Sequence, residues 1–334
     1  MPIVVQDHRV VKRFSVEAGL QPGKVVLKLG RGEDRQSGDW IGEGLVILVT
    51  GAAGKTGRAV VRALVARGAA VRALVYRPSQ VQSLQKLGAR EVLVGDMRAQ
   101  VTVQQATQGA QALYHICPNI SPDELGIGRL VIDAARSAGV THFIYHSVLH
   151  PQTEEMLHHW QKLRVEECLF ECGVPYTILQ PAAYMQNVLA GWETITKQGI
   201  YAVPYATETR LGMVDLEDVA SAAATVLTQT GHQGATYELA GVEVLTQVEV
   251  AQSLSQGLGR TVCVQVMPLP EWEKQARAAG LGDYQIGALI RMFRYYERFG
   301  FWGNPNVLTW LIGRPPTSFA EFVQRVAHER RLPA

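Results

Sequence analysis

Apolar residues along the chain change their period several times, and each change marks an element. Leu45–Thr50 is a short, almost unbroken apolar run, the pattern of a parallel strand buried on both faces. In Lys55–Arg67 the residues Val60, Val61, Leu64 and Val65 share one helical side, Arg58, Arg62 and Arg67 lie elsewhere, and Gly68 supplies the stop. Ala70–Tyr76 predicts a second strand, and Pro78 opens a helix at the first turn, where a missing N–H costs least. Glu91–Val94, Ala112–Ile116, His142–Ser147 and Tyr176–Gln180 predict further strands, with helices expected at Val101–Thr107, Leu125–Ala138 and Glu154–Cys172. Repeated strand–helix units with right-handed crossovers predict an α/β fold built on a doubly wound parallel sheet.

The two flanks differ from this stretch. Residues 1–44 form an N-terminal extension in which Arg9–Val16 and Lys24–Leu29 are strand-like around Gln21-Pro22-Gly23, the pattern of a hairpin, and Gly30–Gly44 reads as a linker. An added strand pair, a disordered extension and a start codon placed too far upstream all fit that segment. After Pro181 the rhythm loosens. Asp215–Thr228 predicts a helix with an acidic cap, Ala235–Ala240 and Thr261–Met267 predict strands, and Gln247–Gly257 predicts the helix between them. Gly282–Phe299, Asn304–Ile312 and Thr317–Ala327 predict a helical end. The expected division is an extension (1–44), a dinucleotide-binding domain (45–181) and a smaller C-terminal α+β substrate lobe (182–330) with some segments returning to the sheet.

Composition narrows the function classes. An apolar fraction of 47% is ordinary for a globular core, and a net charge of +2 without Lys/Arg runs points away from nucleic acid and acidic membranes. Apolar runs are too short to cross a bilayer, and Asp7, His8 and Arg9 stand where a signal peptide needs an apolar core, so a cytoplasmic location is expected. The four cysteines form no Cys-x-x-Cys pair; Cys168 and Cys172 read as small buried residues, and Cys117 at a strand end has no motif that makes it a catalytic thiol.

The strongest chemical signal is Gly51-Ala52-Ala53-Gly54-Lys55-Thr56-Gly57, standing between a predicted strand and a predicted helix. Gly51 suits the tight turn, Gly54 a close backbone approach to a pyrophosphate, and Gly57 the packing of helix on strand. The helix N-terminus, with Ala53 and Thr56 beside it, offers N–H groups and a positive dipole end to phosphates. This is a Rossmann signature for NAD(P). An NAD enzyme usually ends its second strand on Asp or Glu; here Arg77 follows the strand, and Lys55 adds a second positive charge. NADP(H) is therefore favoured over NAD(H). Asp96 and Met97, closing the third strand, are placed near the adenine, although Asp96 equally suits a helix cap.

Three stretches then give a resemblance. His142-Phe-Ile-Tyr-His-Ser-Val-Leu-His-Pro151, His158-His-Trp-Gln-Lys162 with Val165-Glu-Glu167, and Thr177-Ile-Leu-Gln-Pro-Ala-Ala-Tyr-Met-Gln-Asn187 resemble the NmrA-like family, an atypical branch of the short-chain dehydrogenases/reductases. The resemblance covers about residues 45–330. That family holds quinone reductases, isoflavone-type reductases and NADP(H)-sensing regulators. The resemblance implies that Cys117, Pro118 and Asn119 pass the nicotinamide ribose, that Ser147 ends a strand near the nicotinamide, and that Lys162 reaches the cofactor. It implies also that Pro181, Tyr184 and Gln186 wall the nicotinamide side.

The usual Tyr-x-x-x-Lys pair is absent; four residues before Lys162 stands His158, on the same helix face. Lys162 is the expected ribose ligand or acid, with His158, an imidazole titrating near neutrality, or Tyr184 assisting. The five histidines between His142 and His159 lack metal-ligand spacing, and Ser147 lacks a nucleophile elbow. Phe293, Tyr295, Tyr296, Phe299, Phe301 and Trp302 could line an apolar pocket or contact a partner, but aromatics at helical spacing usually pack on a core. The expected function is an NADPH-dependent reductase of a small apolar carbonyl or quinone substrate, acting as a monomer or homodimer. The alternative is a non-catalytic NADP(H)-sensing protein that acts through a regulatory protein partner.

Overall fold

Seven parallel strands lie side by side in the order β3-β2-β1-β4-β5-β6-β8 in a computed structural model that describes residues 45–330. The hairpin and linker expected over residues 1–44 lie outside the described residues. The chain runs β1 (Val46–Val49), α1 (Lys55–Ala66), β2 (Ala70–Val75), α2 (Val81–Lys86), β3 (Glu91–Val94), α3 (Gln100–Thr107), β4 (Ala112–His115), α4 (Glu124–Ser137), β5 (His142–His146), α5 (Leu157–Glu171) and β6 (Tyr176–Pro181). It continues through α6 (Trp192–Gln198), β7 (Ile200–Val203), α7 (Leu216–Thr228), β8 (Ala235–Leu239), α8 (Gln247–Leu258), β9 (Cys263–Val266), α9 (Leu269–Ala278), α10 (Asp283–Phe299), α11 (Asn306–Ile312) and α12 (Phe319–Glu329). A second, two-stranded sheet pairs β7 with β9.

Alternation along the strands sends residues to two cores. Ile47, Val49, Val71, Ala73, Tyr114, Ile144 and Leu179 pack on one face of the sheet, where α1 meets α7. Leu48, Leu74, Leu113, Phe143, Tyr145 and Ile178 pack on the other, beneath α4 and α5. Both faces are covered, which is why these strands read as unbroken apolar runs. Burying each of the Val, Leu, Ile and Phe side chains among them contributes about 1.5–3 kcal/mol. Strand order reverses between β1 and β4, and a crevice opens there at the carboxyl ends of the strands.

The strand expectations hold within a residue or two. The helix expected from Glu154 begins instead at Leu157, because Met156 N–H bonds the Thr153 carbonyl in a preceding turn. β7, α6 and α9 were not legible; each is short, and β7 finds its partner β9 some sixty residues later. Among the described residues, no helix is long and apolar enough to cross a membrane.

Candidate functional site

The turn from β1 into α1 is held by close backbone packing. Gly51 has φ +59°, and a Cβ on it would stand 2.6 Å from the Ile116 carbonyl oxygen. A Cβ on Gly57 would stand 2.5 Å from the Gly51 carbonyl oxygen and 2.6 Å from Ala52 Cα. The first turn of α1 is therefore pressed against the strand end. Gly54 caps this helix without a side-chain acceptor, and no acid stands in the first turn, so its N-terminal N–H groups and positive dipole end face the cleft unopposed. That is the donor set a pyrophosphate needs. Lys55 Nζ reaches across to Asn187 Oδ1 at 2.7 Å and lies 5.4 Å from the Tyr184 ring centre.

The cleft that starts here has a volume of about 1390 Å³. Single drug-sized ligands occupy pockets of roughly 300–1000 Å³, so this one has room for a dinucleotide and a second molecule. Ala53, Thr56, Asp96, Met97, Cys117, Pro118, Ser147, Pro181, Tyr184 and Gln186 all line it, with Lys162 and His158. Arg77 does not; it is exposed just beyond the lining residue Tyr76, and its N–H bonds Gln80 Oε1. Asp96 accepts the Arg98 N–H at 2.9 Å, so its carboxylate is partly engaged by its own loop. The Gln186 amide is also engaged, donating to Asp215 Oδ1 and accepting from the Leu216 N–H at the start of α7.

At the far end, β5, α5 and the residues after β6 converge. Lys162 and His158 share the cleft face of α5, as their spacing predicts. Lys162 Nζ donates to Glu124 Oε1 at 2.8 Å and to the His146 carbonyl at 3.2 Å. Glu124 is 3% exposed and also accepts from the Tyr145 hydroxyl at 2.8 Å. Burial raises the Glu124 pKa, but Lys162 and Tyr145 outweigh it and hold the carboxyl below its ordinary value. His158 departs from expectation: burial, with the charge of Lys162, lowers its pKa to about 4, and its Nδ1 is buried without a partner. It is a neutral ring, not an imidazolium acid, near pH 7.

Three further side chains complete this end. Tyr184, whose phenol pKa is raised by burial, bonds His146 Nε2 at 2.7 Å, and His146 Nδ1 bonds the Tyr114 hydroxyl at 2.6 Å. Ser147 donates to Glu166, which Gln180 also holds. Burial, with the Glu124 carboxylate nearby, pushes the Cys117 thiol far up. Beyond lies an apolar wall from α9, α10 and adjoining loops, including Tyr205, Met213, Trp272, Met292 and Phe293, with Trp272 and Phe293 edge to face at 4.8 Å. The aromatic run divides: Phe293, Tyr296 and Phe301 are buried and line the cleft, whereas Phe299 and Trp302 are exposed.

Glu124 and His146 were not singled out as site residues from the sequence. An acid in the first turn of a helix reads as a dipole partner, and nothing local to Glu124 signals its bond to Lys162.

The NmrA-like family model matches residues 44–322. Quinone oxidoreductase 2 of Escherichia coli is 29% identical over 285 residues, 84% of this chain and 98% of that protein. A structure of the E. coli enzyme complexed with NADPH superposes with a TM-score of 0.74 at 28% identity, covering 84% of this chain and 99% of that one. The (4-alkanoyl-5-oxo-2,5-dihydrofuran-3-yl)methyl phosphate reductase of Streptomyces griseus is 32% identical over 284 residues, 83% of this chain and 96% of that protein. The Citrobacter sp. triphenylmethane reductase complexed with NADP(H) superposes with a TM-score of 0.73 at 28% identity, covering 84% and 99% of the two chains.

Proposed function

The chain belongs to the NmrA-like family, and we propose that within it the protein is an NADPH-dependent reductase of an apolar carbonyl compound, a quinone above all. One observation carries the reading. A single cleft joins an uncapped glycine-loop helix to Lys162, His158 and Tyr184 and ends on an apolar aromatic wall. Quinone oxidoreductase 2, which is NADPH-dependent, and an NAD(P)H azoreductase of Xenophilus azovorans both match along nearly their whole length, which favours catalysis over the sensing alternative.

NADPH supplies the hydride when bound. The residues of this chain do the rest. Gly51, Gly54 and Gly57 let the backbone meet the pyrophosphate, and the α1 N-terminus stabilises its charge. Arg77, at the rim, supplies a planar cation for the 2′-phosphate. Lys162, steadied by Glu124 and the His146 carbonyl, would hold the ribose and offset the developing charge on the substrate oxygen. Tyr184 presents a hydroxyl to the same space, and the aromatic wall excludes water from it.

The test is oxidation of NADPH by the purified protein with a panel of quinones and aldehydes. Turnover is expected, with Lys162→Ala lowering kcat by about tenfold or more. Absence of turnover on every acceptor would replace this reading with the sensing one. Unchanged turnover in both Lys162→Ala and His158→Ala would remove those two residues from the chemistry.

A further inference from the structure

We propose that the buried pair Tyr114 and His146 is a positioning device that makes Tyr184 a hydrogen-bond donor toward the cleft. The Tyr114 side chain has no exposed surface, and the hydrogen bond its hydroxyl makes is to His146 Nδ1, at 2.6 Å. A buried hydroxyl that donates to nothing keeps the full cost of losing water, whereas an oxygen with an unused lone pair is better tolerated. Tyr114 therefore donates, and Nδ1 accepts. A neutral imidazole with an accepting Nδ1 carries its proton on Nε2. That N–H points at Tyr184 Oη, 2.7 Å away, and must donate to it. With His146 giving to its oxygen, Tyr184 has its own O–H left for the Thr56 hydroxyl beside it or for a molecule in the cleft.

A neutral ring is what the surroundings impose. Burial lowers the His146 pKa to about 3, and the charge on Lys162 pushes the same way. An imidazolium would donate from both nitrogens and leave the Tyr114 proton without an acceptor. The same residue governs Lys162 through its carbonyl, so the end of β5 orients both groups that face the reacting atoms. Resting on the reductase reading, the consequence is that Tyr184 aims its proton at the oxygen that gains charge as hydride arrives, without turning it back toward the imidazole.

The decisive experiment needs no turnover. In protein labelled with ¹⁵N-histidine, long-range ¹H–¹⁵N correlation at neutral pH is expected to show His146, assigned by its loss in His146→Gln, as a neutral ring protonated on Nε2. A ring protonated on Nδ1, or on both nitrogens, would overturn the proposal whatever the enzyme reduces. Kinetics give the second arm. His146→Leu is expected to lower kcat roughly tenfold, less than the ~100-fold of losing a donor outright. The KM for NADPH is expected to stay unchanged, and Tyr184→Phe is expected to absorb the loss when the two are combined. Additive losses, or a loss confined to the KM for NADPH, would make His146 a structural residue and overturn the proposal. Should His146→Leu not fold, the labelling experiment on the wild-type chain decides alone.

Discussion

The two ends of the cleft are held rigid by opposite means. At the phosphate end the constraint is steric and made of backbone: Gly57 cannot carry a Cβ because the Gly51 carbonyl and Ala52 Cα already occupy the space. At the end proposed to react, the constraint is polar and made of side chains. Glu124, Tyr145, His146, Lys162 and Tyr184 hold one another through hydrogen bonds drawn from α4, β5, α5 and the segment after β6. A steric constraint is local and indifferent to solvent. A buried polar network depends on every partner and on protonation.

Acid should separate the two most strongly. His158 and His146 are neutral in the folded protein, with pKa values lowered to about 4 and about 3, chiefly by burial, from an ordinary 6.5. Between those limits the unfolded chain binds the extra protons, so stability is full above about pH 6.5 and falls as pH drops, by about 1.4 kcal/mol per pH unit for each ring. Urea midpoints should therefore show a loss on the order of 4 kcal/mol from these two residues between pH 7 and pH 5. A flat profile would erase the contrast drawn between the two ends. Gly57→Ala strikes the other end. Its new methyl meets backbone that cannot yield, so a loss of about 3 kcal/mol in thermal unfolding is expected. NADPH binding, followed by fluorescence titration, should disappear with it; normal binding would show that the loop has slack. The smallest effect belongs to the exposed rim. Arg77→Ala should weaken NADPH about tenfold, near 1.4 kcal/mol, and leave NADH unchanged. Equal effects on both cofactors would take Arg77 out of phosphate recognition.

The same contrast governs what could be read from the chain. β3 falls at Glu91–Val94 as the apolar run predicts, and the glycine loop sits where its spacing places it, because both depend on neighbours in sequence. The reacting end depends on pairs far apart. Lys162 meets Glu124 and Tyr184 meets His146, each across 38 positions, and no periodicity encodes such a meeting. His158 shows the limit from another side. Its helical spacing from Lys162 was legible, but its titration was not, since burial is a property of the folded chain. The short strand β7 escaped for a related reason, its partner being supplied by β9 after two intervening helices.

Cys117 stands in the wall of this cleft, deprived of water and beside a carboxylate, so its sulfur stays protonated. Quinones are electrophiles that arylate thiolates, and a thiol is a far poorer nucleophile than its anion. A reductase of such compounds brings a reactive electrophile to its own sulfur at every turnover. On the proposed reading, the placement that makes Cys117 useless as a nucleophile would also protect the protein from its own acceptors.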